Sequence, residues 1–555
     1  MTKTIEPSLP SEKAATEHTS GKTNKPLAKS LTIATFIMMA SVLLSRIAGL
    51  VREQVLAYYG GTNSEMDAYV TAFLIPEILN HFLAGGFLSL TFIPIFQKHL
   101  LCGNRERAWK SFSNLMTIGS LFFLLLIPLT MIFTPSLLAF IGTLSETLKL
   151  PGKISENPAQ LALTIRLTMI ILPAQIFFYW GAFFSAVQMA EHKFFLPALA
   201  PLCYNIGIIL GGVVLGPFIG IEGFAWGVLI GAFVSNVCVQ LPGALQCGLR
   251  FRPIIHFSDP DFSNYIRKTV PLILGIGMVF SNEMFFRVFG ALLPEGATSS
   301  LNYALRTMLI VVAVFGQASG VAFFPFLSKM AIEQQFAKMS EMLNTMLIKI
   351  AIFLIPLAGI MIVLAKPIIS ILYERGNFTD VSVSKTAILF SIYLIGSFAY
   401  SSSMIVSRMF YALQDMILPM IISTATALAS IPAYLLFMKL FDTKGIAIAA
   451  ILAMTIQFVI LYFCWVNKYK LWKSAVQFIV QFFKILVTCC IGCGVGLFLK
   501  DITEPYIALR SPLISNFAIC IIVSIPSLLA IFIIYELAGI QSLKATLRGL
   551  LRKGK

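Results

Sequence analysis

Long apolar runs, broken by short clusters of charge, proline, glycine or polar residues, fill the chain from residue 30 to residue 537. A helix needs about 20 apolar residues to cross ~30 Å of hydrocarbon, and fourteen such segments can be read. The first covers 30–58, the second 65–97, the eighth 297–328, the eleventh 416–440 and the twelfth 444–466. The pattern predicts an all-α polytopic membrane protein with 14 transmembrane helices.

The pattern also repeats. The second segment ends "FIPIFQK" (Phe92–Lys98) and the eighth ends "FFPFLSK" (Phe323–Lys329). The fifth opens "FLPALAP" around Pro197 and the eleventh "ILPMII" around Pro419. The sixth begins "EGFAWG" at Gly223 and the twelfth "KGIAIA" at Gly445, the same 222-residue offset as the two prolines. Six crossings return the chain to its starting side, so the expected architecture is two six-helix lobes in a parallel pseudo-twofold repeat. That is a transporter architecture, with the site between the lobes. The first lobe is expected over 30–246 and the second over 263–466. Helices thirteen and fourteen, 474–537, stand outside the repeat.

Composition agrees with a lipid environment. Of 555 residues, 58% are hydrophobic and 12% charged, against about 25% charged in ordinary soluble proteins. The first 29 residues form a polar tail with Lys3, Lys13, Lys22, Lys25 and Lys29. The apolar segment after them is too long for a signal peptide and lacks a small-residue cleavage pattern. With a cytoplasmic amino terminus, 24 Lys and Arg fall on inside segments and seven outside, which the positive-inside bias favours. Both termini are then cytoplasmic, including a basic tail over 538–555. The net charge of +16 is accounted for by these loops, so it does not point to nucleic acid. The nine cysteines are scattered; Cys489, Cys490 and Cys493 lack an accompanying His or acid and read as packing residues. No metal, cofactor or enzymatic motif is found, and no soluble domain is large enough for chemistry.

Charges inside the apolar segments carry the functional information. An ionised side chain at membrane depth costs ~3 kcal/mol on insertion scales, so it tends to face water or a partner. The first lobe holds Arg46, Arg52, Glu53, Asp67, Glu77, His81 and Arg166; the second holds Glu283, Arg287, Arg306 and Arg408. Glu283 and Arg287 lie at i,i+4 and can satisfy one another on one helix face. Arg408 can reach the headgroups from near a helix end. Arg375, in "YERGNFTD", reads as a solvated turn residue. Arg46 and Arg306 have no acid three or four residues away. A guanidinium fork fits phosphate oxygens two at a time and stays charged at any relevant pH. Arginines from both lobes converging on one cavity would make an anion site. Arg46 and Arg52, six residues apart, sit about 120° around an ideal helix, so a shared face requires a bend, for which Gly49 offers a place.

The stretch "SRIAGLVREQVLAYYGGTNSEMDAYVTAFLIPEILNHFLAGGFLSLTFIPIF", Ser45 to Phe96, closely resembles the opening of the MurJ (MviN) lipid II flippase family. "NYALR" at Asn302–Arg306, "FFPFLSK", "LYERGNFT" at Leu372–Thr379 and "FYALQD" at Phe410–Asp415 extend the resemblance over nearly the whole chain. It implies the fold of the multidrug/oligosaccharidyl-lipid/polysaccharide exporter superfamily, with a central cavity and a groove for a polyprenyl tail along the last two helices. The implied substrate is lipid II, an undecaprenyl-pyrophosphate disaccharide-pentapeptide. It is moved from the cytoplasmic to the outer leaflet of the bacterial inner membrane for peptidoglycan synthesis. Family positions important for function map onto Arg46, Arg52, Asp67 and Arg306. On this reading the three arginines hold the pyrophosphate and Asp67 tunes or releases one of them, in a chain that works as a monomer.

The chain departs from the family pattern in two places. Where the family commonly has "LPNLLRRxFAEGA", this chain has "IPEILNHFLAGGF", so Asn80 and His81 replace two arginines and Gly85 a glutamate. Where the family has "YADRLxEFPxG", Leu305, Leu309 and Val311 replace the Asp, Glu and Pro. Glu77, Asn80, His81, Glu283 and Arg287 are therefore secondary site candidates. A flippase for another polyprenyl-pyrophosphate-linked glycan, such as an O-antigen or capsule unit, is the alternative. A cation-coupled drug antiporter fits a cavity of arginines poorly, and unpaired intramembrane charges disfavour a non-transporting scaffold.

Overall fold

The computed structural model describes residues 44–83, 87–147, 157–276, 281–507 and 512–539. The predicted tail 1–29 and the tail beyond residue 539 lie outside these residues. Each of the fourteen predicted segments is helical where described, and no strand occurs among the described residues. Nine of the described helices are long and apolar enough to cross a membrane, or ten if the bent pair Asp380–Ile395 and Ser397–Ala412 forms one span. The chain is a multi-pass membrane protein, all-helical apart from turns and loops among the described residues.

Several of the predicted segments are described as shorter helices or meet end to end. The second, expected as one run over 65–97, is described as Ser64–Ala72, Leu74–Leu83 and Phe87–Leu101, with a turn at Phe73 between the first two. The seventh is described as Pro260–Ile276 and Ser281–Gly290. The eleventh and twelfth are two helices within Ile417–Lys468 that meet end to end at Asp442, whose backbone (φ 50°, ψ −130°) is not helical, between the two predicted segments. Side-chain caps mark two starts. Asn63 accepts from the Met66 amide at 2.9 Å, and Asn157 accepts from the Gln160 amide at 3.1 Å with Pro158 in the first turn. Both satisfy amides that the first turn leaves unpaired.

Packing follows membrane rules. Lipid tails are as apolar as leucine, so helix pairs gain from close approach of small residues rather than from burial. Gly207 and Gly211 of the fifth segment face Gly231 and Gly227 of the sixth, where an added Cβ would come within 2.4 Å of the opposing backbone. One apolar cluster joins the two halves around Leu56, Phe183, Tyr303 and Phe390. A second binds the last two helices, Trp472–Thr503 and Pro512–Leu537, to the second half through Leu347, Trp465, Phe478 and Val523. Cys489 and Cys493 pack beneath Gly359 in this second contact.

One end of the interface between the halves is sealed by backbone. The Asn377 amide donates to the Tyr58 carbonyl at 2.9 Å, and its side chain donates to the Tyr59 carbonyl at 2.6 Å. Thr62 and Ser382 hydroxyls meet at 2.6 Å, and the Ser64 amide donates to Glu295 at 2.8 Å. Gly61 and Gly376 make this approach possible. Both adopt positive φ (+55° and +58°), and a Cβ on either would lie 2.3–2.4 Å from a carbonyl oxygen of the opposite turn.

At the other end, polar contacts tie the seventh segment to the second and third. Arg107 lies 2.7 Å from Asp259 and 3.0 Å from Asp261, while His99 is 3.0 Å from Asp261 and Ser111 donates to it at 2.5 Å. Burial opposes the charge on Asp261, yet Ser111, His99 and Arg107 outweigh it and hold the carboxyl below its ordinary range.

Candidate functional site

The helix 44–60 carries Arg46, Arg52 and Glu53 into the space between the halves. A cavity of about 550 Å³ runs along it, lined by Arg46, Gly49, Arg52, Glu53 and, from the second half, Arg306 and Tyr373. A second space of about 270 Å³ adjoins it and shares Arg52, Glu53 and Arg306 with it, adding Glu77, Asn80 and Arg287. Arginines from both halves thus meet around one void.

Arg46 and Arg52 share that void without a break in their helix, which runs unbroken through Gly49. Six residues of helix rise about 9 Å, and the cavity is long enough to take both side chains at different depths. Arg46 donates to Gln317 at 2.6 Å. Arg52 donates to Asn205 at 3.0 Å and to Glu53 at 2.6 Å.

The acidic residues are distributed differently from the local-pair expectation. Glu283 and Arg287 do not pair with each other. Arg306 lies 3.1 Å from Glu283, on a neighbouring helix. Arg287 instead reaches Glu77 with both terminal nitrogens, one of them at 2.9 Å. Its guanidinium also lies over the Phe286 ring, 5.3 Å from the centroid. Helix rotation aims Glu283 and Arg287 at different neighbours, and sequence spacing does not encode that rotation. The Arg287 side chain is only 4% exposed, against 21% and 28% for Arg52 and Arg306. Arg287 is therefore the buried member of a brace whose Glu77 lines the second space, while the other two pairs present their arginines to the cavity.

Asp67 lies in the sealed end, where its carboxylate touches no arginine. It accepts from the Gly296 amide at 2.6 Å and the Ser299 amide at 2.7 Å. Those amides open the helix Ala297–Val312 that carries Arg306, and a carboxylate there satisfies unpaired donors and faces the positive end of the helix dipole. Asp67 is thus linked to Arg306 through the helix that both engage. The His81 side chain falls outside the described residues. Arg166 pairs with Glu222 at 3.0 Å. Arg408 is half-buried against Gly320 and has no acidic partner among the described residues.

Sequence reasoning missed the neutral and acidic partners: Glu53 as a clasp for Arg52, Asn205, Gln317, and Asn302, which donates to Glu53 at 3.3 Å. A polar amide inside an apolar run was the available signal for Gln317 and Asn205.

Two halves enclosing a cavity, sealed at one end and lined by cations from both, define a membrane transporter. The solved structure titled "Lipid II flippase MurJ, inward closed conformation" superposes with a TM-score of 0.73 at 25% identity, covering 90% of this chain and 99% of that one. A multidrug resistance MATE family transporter of the MOP superfamily, in an inward-facing conformation, matches with a TM-score of 0.61 at 13% identity over 80% of this chain and 98% of its own, which is a likeness of fold. "Probable lipid II flippase MurJ" of Buchnera aphidicola subsp. Acyrthosiphon pisum is 28% identical over 76% of this chain and 80% of its own length. The protein of the same description from Rickettsia prowazekii is 27% identical over 80% of this chain and 86% of its own. The profile of the family described as Lipid II flippase MurJ matches residues 56–517. The chain belongs to the MurJ lipid II flippase family, a family of transporters and not of enzymes.

Proposed function

We infer that this protein moves lipid II from the cytoplasmic to the outer leaflet of the bacterial inner membrane, with both termini cytoplasmic, and that it works as a monomer. One observation carries the reading: Arg46 and Arg52 from one half and Arg306 from the other line the same void. The distribution of Lys and Arg puts the Arg46 end of the cavity toward the cytoplasm and the sealed end, at Gly61 and Gly376, outside. The diphosphate needs its water replaced to cross, and guanidinium forks replace it. The lipid tail stays in the bilayer along the two last helices, while the sealed end opens and the Arg46 end closes in alternation. On this reading the lobes are residues 30–246 and 263–466, and helices 474–537 form the tail groove.

The test is rescue of cells depleted of their own flippase. Arg46→Ala, Arg52→Ala and Arg306→Ala each abolish rescue while membrane levels stay normal. Full rescue by all three overturns the assignment. Glu77 and Asn80 line the second space, in the stretch where the chain departs from the family pattern it resembles, and this favours keeping a second reading, transport of another polyprenyl-pyrophosphate glycan. Flipping by the purified protein of lipid II against such a glycan separates the two.

A further inference from the structure

We propose that residues 249–258, which join the sixth segment to the seventh, form an interfacial membrane anchor. Phe251, Ile255 and Phe257 enter the leaflet at the end opposite the seal, and Arg250 and Arg252 bind the phosphates of anionic phospholipids there.

These residues are neither helix nor strand, and they lace their backbone to the helix Arg105–Thr147 of the third segment. The Arg252 amide donates to Ser113 Oγ at 3.1 Å, the Ile254 amide to Thr117 Oγ1 at 3.4 Å and the His256 amide to Asn114 Oδ1 at 2.8 Å. Asn114 Nδ2 donates in return to the His256 carbonyl at 2.9 Å. Pro253 has no N–H to satisfy. On that helix Lys110 is the last exposed charge before the apolar span, and Leu121 is the first large exposed apolar side chain. The stretch between them rises about 16 Å, and the laced positions 113–117 fall inside it, where the helix passes from water into hydrocarbon. Non-helical backbone at such a depth needs protein partners, because water is scarce. Ser113, Asn114 and Thr117 supply them.

The side chains left outside have interfacial character. Phe251, Ile255 and Phe257 are 48%, 55% and 64% exposed, and Phe257 stands edge-on to Phe262 of the seventh segment, ring centroids 5.9 Å apart. Ile254 meets Thr117 one turn from Leu121, so this apolar patch begins where the lipid-facing surface of Leu121, Phe122 and Leu125 ends. Arg250 and Arg252 are exposed and pair with no acid among the described residues. The next acids along the chain, Asp259 and Asp261, are engaged by Arg107 and His99. Apolar side chains beside unneutralised guanidinium groups fit a bilayer with negative headgroups, through apolar burial and charge together. A soluble partner would reach only the water side of this band. Held by helix and lipid at once, the segment fixes the point from which Pro260 starts the seventh segment.

The experiment uses the full-length protein with its native cysteines replaced, in nanodiscs of phosphatidylcholine and phosphatidylglycerol. Phe257→Cys and, separately, Ile255→Cys carry the fluorophore NBD; Glu106→Cys, on the exposed first turn of the third segment, is the aqueous control. Both linker probes are expected to emit to the blue of the control, to be quenched by nitroxide lipids labelled near the headgroup, and to resist aqueous iodide. Nitroxide carried on phosphatidylglycerol is expected to quench several-fold more than the same group on phosphatidylcholine at equal mole fraction. Arg250→Gln with Arg252→Gln removes that difference. Iodide quenching equal to the control's overturns the anchor and leaves the patch in water, open to a soluble protein. Lipid quenching with no preference for phosphatidylglycerol overturns the role given to the two arginines. Neither result touches the flippase reading.

Discussion

Arg287 pairs with Glu77, across the boundary between the two halves, and not with Glu283 one turn away on its own helix. This frees Glu283 for Arg306. The two pairings together set which charges brace the fold and which face the cavity.

Removing Glu77 leaves the Arg287 guanidinium buried and alone, which typically costs roughly 3–5 kcal/mol in comparable sites. Glu77→Ala is therefore expected to lower the apparent unfolding temperature in detergent by several degrees. Glu77→Ala combined with Arg287→Leu should recover part of the loss. If the double variant unfolds at the sum of the single losses, the pairing is not what stabilises this contact.

The Thr62 and Ser382 hydroxyls meet across the sealed end. In a background with the native cysteines replaced, Thr62→Cys with Ser382→Cys should cross-link under mild oxidation. The bridge is expected to stop rescue, and a reductant to restore it. A cross-linked protein that still transports would show that this seal need not open.

Gly61 and Gly376 lie where a Cβ would collide with a carbonyl, in a conformation that other residues adopt at a cost. Gly61→Val and Gly376→Val should spread the sealed end and raise labelling of a Thr62→Cys reporter by an impermeant thiol reagent. Gly103 also has positive φ, but its surroundings are open, so Gly103→Ala serves as the control with backbone strain and no collision. Equal labelling in all three variants would remove the steric argument.

Asp67 holds the opening amides of the helix that bears Arg306. Asp67→Ala should cost about 1 kcal/mol of local helix stability, the ordinary value for a lost cap, and faster hydrogen exchange over 296–300 measures it. Asp67→Asn keeps one acceptor and is expected to fall between. Unchanged exchange in Asp67→Ala would assign the carboxylate some other task.

Asp261 titrates below its ordinary value of 3.8 in the folded protein. A depressed carboxylate contributes stability that is fully present above its unfolded pKa and lost as pH falls through the folded one. Unfolding temperatures should thus drop on acidification below about pH 4, and Asp261→Asn should make that drop shallower while lowering stability at pH 7. An equal acid response in both proteins would exclude Asp261 as a contributor.

The sequence alone determined that this is a helical membrane protein with a repeated plan, because lipid imposes length and apolarity on every segment separately. It also singled out Arg46, Arg52 and Arg306, since a charge in an apolar run is conspicuous whatever surrounds it. Only the tertiary structure decided the partners: Glu53 for Arg52, Glu283 for Arg306, Glu77 for Arg287, and backbone amides for Asp67. Spacing along one helix reports neighbours on that helix. Which residues meet across helices depends on the rotation and crossing of each, and those are set by packing contacts far apart in the chain. The seal shows the same division. "YYGG" and "RGNF" announce turns, but that the two turns touch is a property of the assembled bundle.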